Sequence, residues 1–123
     1  MRDILEAMYR FGVKSDIIRI LGGSTKSPFW NQLQANIYNR PVQTLKIPDA
    51  AVAGAAVFAG VGSGLYSDIR EGVGNLVKSN EVFEPEAEAA AIYDEMYSLF
   101  CHTYEALAPK VFSELANFQR KAE

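Results

Sequence analysis

Gly22 and Gly23 stand between an apolar run, Ile17 to Leu21, and a stretch of small polar residues, Ser24, Thr25, Lys26 and Ser27, that leads into Pro28 and two aromatics. Glycines at the carboxyl end of a strand let the backbone turn sharply and let a ligand come close without meeting a side chain. A helix opening just beyond them adds unpaired amide hydrogens and the positive end of its dipole, a setting that suits phosphate. Hydroxyls and the Lys26 ammonium strengthen that setting. The chemistry on offer is nucleotide binding, with Gly22, Gly23, Ser24 and Ser27 as candidate contacts. The same glycine pair also serves as a tight connection with no ligand, and the pattern alone leaves both readings open.

Other residue types offer less. Gly60-Val-Gly-Ser-Gly64 has the opening spacing of a dinucleotide fingerprint, but Leu65 stands where the last glycine belongs and the run follows a helix, so it reads as helix termination. Cys101 and His102 are neighbours on a helix and point in different directions, with no triad partner at a useful spacing. One cysteine and one histidine exclude an internal disulfide and any zinc site built from Cys and His of this chain alone, and this cysteine usage suits the cytoplasm. Glu84, Glu86 and Glu88 read as a solvated helix start, and Tyr93, Tyr97 and Tyr104 as packing at helical spacing. No residue is a candidate catalyst or metal ligand.

Composition narrows the partners. A net charge of -3 gives no footprint for nucleic acid or anionic lipid. Ala50 to Ser67 carries no charge but is mostly Ala and Gly, too weakly apolar for hydrocarbon, so a tightly packed helix is expected and no membrane partner. The 123 residues make one domain or part of one, with a small core.

Positioning the glycine pair requires a strand before it and a helix after it. Ile17 to Leu21 is short and β-branched, as in a strand covered on both faces. Ser27 and Pro28 occupy the favoured N-cap and first-turn positions of a helix whose face carries Phe29, Leu33 and Ile37. That helix stops near Asn39, and Val42 to Ile47 alternates as a second strand, so residues 17–47 read strand, helix, strand with the strands parallel. Residues 1–12 read as the end of a helix, with Ile4, Leu5, Met8 and Phe11 in its stripe and Gly12 ending it. Residues 50–123 read as a helical remainder: a helix from Ala50 to about Val61, ended by Gly60, Gly62 and Gly64; a short helix from Asp68 to Val77; an extended connection from Glu81 to Pro85; and a long helix that Pro109 kinks or splits. Two parallel strands alone make no stable sheet, which points to a missing part.

The run IIRILGGSTKSPFWNQLQANIYNRPV, followed by DAAVAGAAVFAGVGSGLY, resembles the carboxyl-terminal part of the FGGY carbohydrate kinases. The matching positions are Gly22, Gly23, Ser27, Trp30, Pro41, Val42 and Gly54-Ala55-Ala56. Phe83-Glu-Pro85 and the Tyr93, Tyr97, Tyr104 spacing lie nearest the xylulokinase branch, and WNQLQAN with VAGAA is also similar to the fuculokinase branch. The resemblance implies an α/β fragment of an actin-like (ribonuclease H-like) ATPase lobe, a short parallel strand-helix-strand unit plus several helices. It implies that Gly22 and Gly23 approach ATP closely, and that Ser27 sits where the family often places a side chain touching adenine or ribose. Ser24 departs from the usual third Gly or Ala. The implied reaction passes the γ-phosphate of ATP, bridged by Mg2+, to a ketose hydroxyl. By the resemblance the sugar site lies mainly in a missing N-terminal lobe and the proton-accepting aspartate precedes the segment present here, so the fragment is expected to be inactive alone. The reading from a different class is a non-catalytic interaction module that forms homo-oligomers through edges left exposed.

Overall fold

The computed structural model describes residues 1–121 and divides them into one unit, Met1–Ala90, and a second beginning at Ala91. The first unit opens with helix α1 (Arg2–Arg10), which Gly12, at φ +84°, ends. Strand β1 (Ile18–Arg19), helix α2 (Pro28–Tyr38) and strand β2 (Val42–Leu45) follow, and β1 pairs parallel to β2 with Ile18 opposite Val42. Helices α3 (Ala50–Gly62) and α4 (Ile69–Leu76) come next, then strand β3 (Ser79–Phe83). The sheet order is β1-β2-β3.

β3 departs from the sequence reading. The stretch taken for an extended connection, within a remainder taken for helical, runs antiparallel to β2 with Val42 opposite Phe83 and Gln43 opposite Val82. The ladder slips between Gln43 and Leu45, and the buried Thr44 repairs the slip. Its hydroxyl accepts from the Glu81 amide at 3.2 Å and from Asn80 Nδ2 at 3.3 Å. β1 is shorter than expected and is not covered on both faces: with a neighbour on one side only, Ile18 is half-buried and Arg19 exposed.

α2 begins and ends where its caps dictate. Ser27 Oγ accepts from the Trp30 amide at 3.3 Å, Pro28 takes the first helical position, and Asn39 closes the helix in the left-handed region at φ 50°. Its buried residues are Asn31, Ala35 and Asn36, whereas Phe29 is 77% exposed. Small side chains face inward because the helix lies close over β2, where Ala35 and Val42 are both fully buried. Asn36 and Gln32 reach further: Asn36 Oδ1 accepts from the Glu86 amide at 2.9 Å, and Gln32 Nε2 donates to the Glu84 carbonyl at 2.7 Å. These bonds hold the exit of β3 against α2.

In α3 the buried positions are Ala53, Val57 and Gly60, one helical face turned to α4, and the remaining alanines are exposed. Gly60 is therefore not a terminator. It lies inside the helix, where a Cβ would stand 2.5 Å from the Tyr66 ring, and Gly72 on α4 faces the same ring at 3.0 Å. Gly64, at φ +77°, makes the turn that follows α3.

Helix α5 (Ala87–Leu107) carries the chain into the second unit. A π-helical turn at Ala108–Phe112 separates it from α6 (Ser113–Lys121), as expected of Pro109, which has no amide to donate. Tyr104 and Phe112 meet across that turn with ring centroids 5.5 Å apart. Ile92, Met96, Leu99 and Phe100 are exposed. No helix of the described residues is long and apolar enough to cross a membrane.

Candidate functional site

Because β1 and β2 are parallel and adjacent, their carboxyl ends deliver two loops to the same edge of the sheet, the position where open α/β sheets bind ligands. The loops are tied by the Gly22 amide, which donates to the Pro48 carbonyl at 2.8 Å. Between them lies a recess of about 400 Å³ lined by Leu21, Gly22, Gly23, Lys26, Pro48, Asp49 and Ala50.

The two glycines do different work. Gly22 sits at φ 96° and ψ 178°, a region that in practice only glycine occupies. Gly23 begins a 3₁₀ turn, Gly23–Lys26, with no positive φ, and a Cβ placed on it would meet nothing within 4 Å. Only the first glycine is required by its backbone angles; both leave open space over the backbone, since a Cβ on Gly22 would also meet nothing within 4 Å. Ser24 to Lys26 of the 3₁₀ turn and the N-cap Ser27 stand between Gly23 and α2, so the pair does not abut the helix directly.

A chain of hydrogen bonds fixes this loop. The Gly22 carbonyl accepts from the Thr25 amide at 3.2 Å and from Thr25 Oγ1 at 2.7 Å. The Thr25 carbonyl in turn accepts from Asn31 Nδ2 at 2.8 Å. Asn31 is 2% exposed, and its Oδ1 is buried without a hydrogen-bond partner. An orphaned acceptor of that kind costs about 1–3 kcal/mol.

The recess gathers Gly22 and Gly23 together with Lys26, whose charge suits an anion. Ser24 lines a separate recess of about 320 Å³ with Met1, Leu5, Gln34 and Tyr38, and Ser27 lines neither. Burial holds the Tyr38 phenol protonated by raising its pKa, and its hydroxyl donates to Gln34 Oε1 at 3.0 Å. Sequence reasoning missed Pro48 and Asp49. Asp49 was legible as an N-cap before the alanine-rich α3, and its Oδ1 accepts from the Ala51 and Val52 amides at 3.0 and 3.1 Å. The start of α3 is therefore already occupied by a carboxylate, and an anion fits better on the Gly23–Lys26 side. Among the described residues no group of three or more His, Cys, Asp or Glu could hold a metal ion.

Residues 1–63, just over half of the chain, match the FGGY family of carbohydrate kinases, C-terminal domain. The xylulose kinase of Staphylococcus epidermidis is 37% identical over 103 residues, which are 84% of this chain and 21% of that protein. The structure of ligand-bound xylulose kinase from Lactobacillus acidophilus superposes with a TM-score of 0.69 at 33% identity, covering 82% of this chain and 20% of that one. Gluconate kinase from the same organism gives a TM-score of 0.68 at 33% identity, with coverage of 82% and 20%. The chain thus spans about a fifth of the length of the relatives it matches. The likeness supports the expected α/β class and the actin-like (ribonuclease H-like) ATPase lobe. Since the matched stretch takes in β1, β2 and both loops of the recess, this chain belongs to the FGGY family of carbohydrate kinases, as part of its C-terminal domain.

Proposed function

We propose that this chain supplies the nucleotide-facing part of an ATP-dependent sugar kinase, with ATP seated over Gly22 and Gly23 between the two loops. The observation that carries the reading is the recess at the carboxyl ends of β1 and β2, which brings Gly22, Gly23 and Lys26 together and where a Cβ built on either glycine would meet no protein atom within 4 Å. Lys26 lies on the same recess and offers charge to a phosphate. Ser24 and Ser27 are secondary contacts, reached only by a nucleotide that extends past the 3₁₀ turn. Mg2+ would arrive bridging the phosphates of the nucleotide, since phosphoryl transfer depends on charge neutralisation and positioning more than on protein nucleophiles. The names of the relatives favour xylulose, a ketose, as the acceptor. Another FGGY sugar kinase is the alternative, and gluconate kinase shows how near it lies. The acceptor hydroxyl, its base and the facing lobe belong to the rest of such a kinase, so this chain alone binds nucleotide and transfers nothing.

The test is a titration of the chain with ATP and Mg2+, followed by amide chemical shifts. The largest shifts are expected at Gly22, Gly23 and Lys26, and Gly23→Val is expected to weaken binding at least tenfold by filling the space. Shifts centred elsewhere, or binding unchanged in Gly23→Val, would overturn the site.

A further inference from the structure

Asn31 is an unusual choice for its place. It lies in the first turn of α2, almost wholly buried, in a helix whose N-cap is already supplied by Ser27. Asparagine is a weak helix former, and its Oδ1 is left without a partner. Against those costs stands one favourable bond, Nδ2 to the Thr25 carbonyl at 2.8 Å. That bond begins a relay: Thr25 Oγ1 donates to the Gly22 carbonyl at 2.7 Å, and the Gly22 amide donates to Pro48 at 2.8 Å. The relay runs from the buried side of α2 to the far wall of the recess.

We infer that Asn31 is a positioning residue: its buried amide clamps the Gly23–Lys26 turn in the shape that receives a nucleotide. It touches no ligand. The inference rests on the nucleotide reading above and adds the residue that holds the loop ready for it. A binding-competent turn populated only part of the time lowers apparent affinity by that fraction. Loss of one net hydrogen bond shifts the equilibrium behind such a population by roughly two- to tenfold.

Asn31→Leu keeps the branching and heavy-atom count of the side chain, deletes the orphaned acceptor and removes the donor. Thr25→Val, a second variant at a half-buried position, cuts the relay one bond further on without touching α2. Each is expected to leave the thermal midpoint within a few degrees of the unsubstituted chain and to speed amide exchange at Thr25 and Ser27. Each is expected to weaken ATP binding by roughly two- to tenfold. A residue that merely supported the fold would lower the midpoint and leave the affinity of the folded fraction alone. ATP affinity unchanged in both variants overturns the inference while the nucleotide site stands. If the unsubstituted chain gives no ATP response at Gly22 and Gly23, the site reading falls and takes the inference with it.

Discussion

Replacing Gly22 and Gly23 one at a time by alanine separates what each glycine is for. At Gly22, φ 96° with ψ 178° is a conformation an L-residue holds at a cost of about 1–3 kcal/mol. Relaxing out of it instead would break the 2.8 Å bond from the Gly22 amide to Pro48, at about 0.5–1.5 kcal/mol. The chain takes whichever route costs less, so a loss of about 1 kcal/mol or somewhat more follows, and for a chain of this size the melting midpoint falls by roughly 3–6 °C. At Gly23 the backbone is helical and an added Cβ meets nothing within 4 Å. Alanine there narrows the unfolded ensemble and adds about 0.4–1 kcal/mol of stability. Thermal melts followed by circular dichroism without nucleotide read both changes, which have opposite signs. Equal losses in the two variants, or no loss in Gly22→Ala, would refute the division of roles.

Two further perturbations test the frame around the site. Gly60→Ala drives a Cβ to 2.5 Å from the Tyr66 ring, which Gly72 hems in from the other side. Overpacking of about 1–3 kcal/mol outweighs the helix-propensity gain of about 1 kcal/mol, so the variant melts lower. Gly54→Ala in the same helix meets nothing within 4 Å and melts higher, and calorimetry of the pair checks the contrast. Glu71 accepts from the Ser67 hydroxyl and the Ser67 amide, both at 2.7 Å, and these bonds hold its carboxyl below the ordinary value of 4.5. A depressed carboxyl adds stability that is present above the ordinary value and lost as pH falls through the folded value. The midpoint advantage over Glu71→Gln is therefore expected to shrink below about pH 4.5 in melts run across that range.

The elements that could be read from the sequence are those whose ends are fixed by local chemistry. Ser27-Pro28 starts α2, Asn39 ends it and Gly12 closes α1, each because a cap or a positive φ involves only neighbours in the chain. β3 was out of reach for the opposite reason. Ser79, Asn80 and Glu81 carry no strand signal, and what makes them a strand is the edge of β2 together with the Thr44 hydroxyl. Stripes told the same half-truth. Periodicity identified Phe29, Leu33 and Ile37 as one face of a helix, yet spacing says nothing about what a face meets, and close approach to β2 instead selected Asn31, Ala35 and Asn36 for burial.

The recess divides along the same line. Gly22 and Gly23 are adjacent and identical in sequence, so nothing local distinguishes a glycine needed for its dihedral angles from one whose angles any residue adopts. The distinction comes from pairing: once β1 lies parallel to β2, the Gly22 amide is drawn to Pro48, and that bond turns Gly22 into the conformation other residues avoid. Gly23, one step on, enters the 3₁₀ turn with no positive φ. Asp49 enters the wall by the same pairing, and its carboxylate is already spent on α3, which in the nucleotide reading proposed above leaves the Lys26 side for an anion. A charge swap is the sharpest consequence. On the proposed reading, Lys26→Asp with Asp49→Lys is expected to weaken ATP binding in the same titration, and an unchanged affinity would refute a role for these two charges.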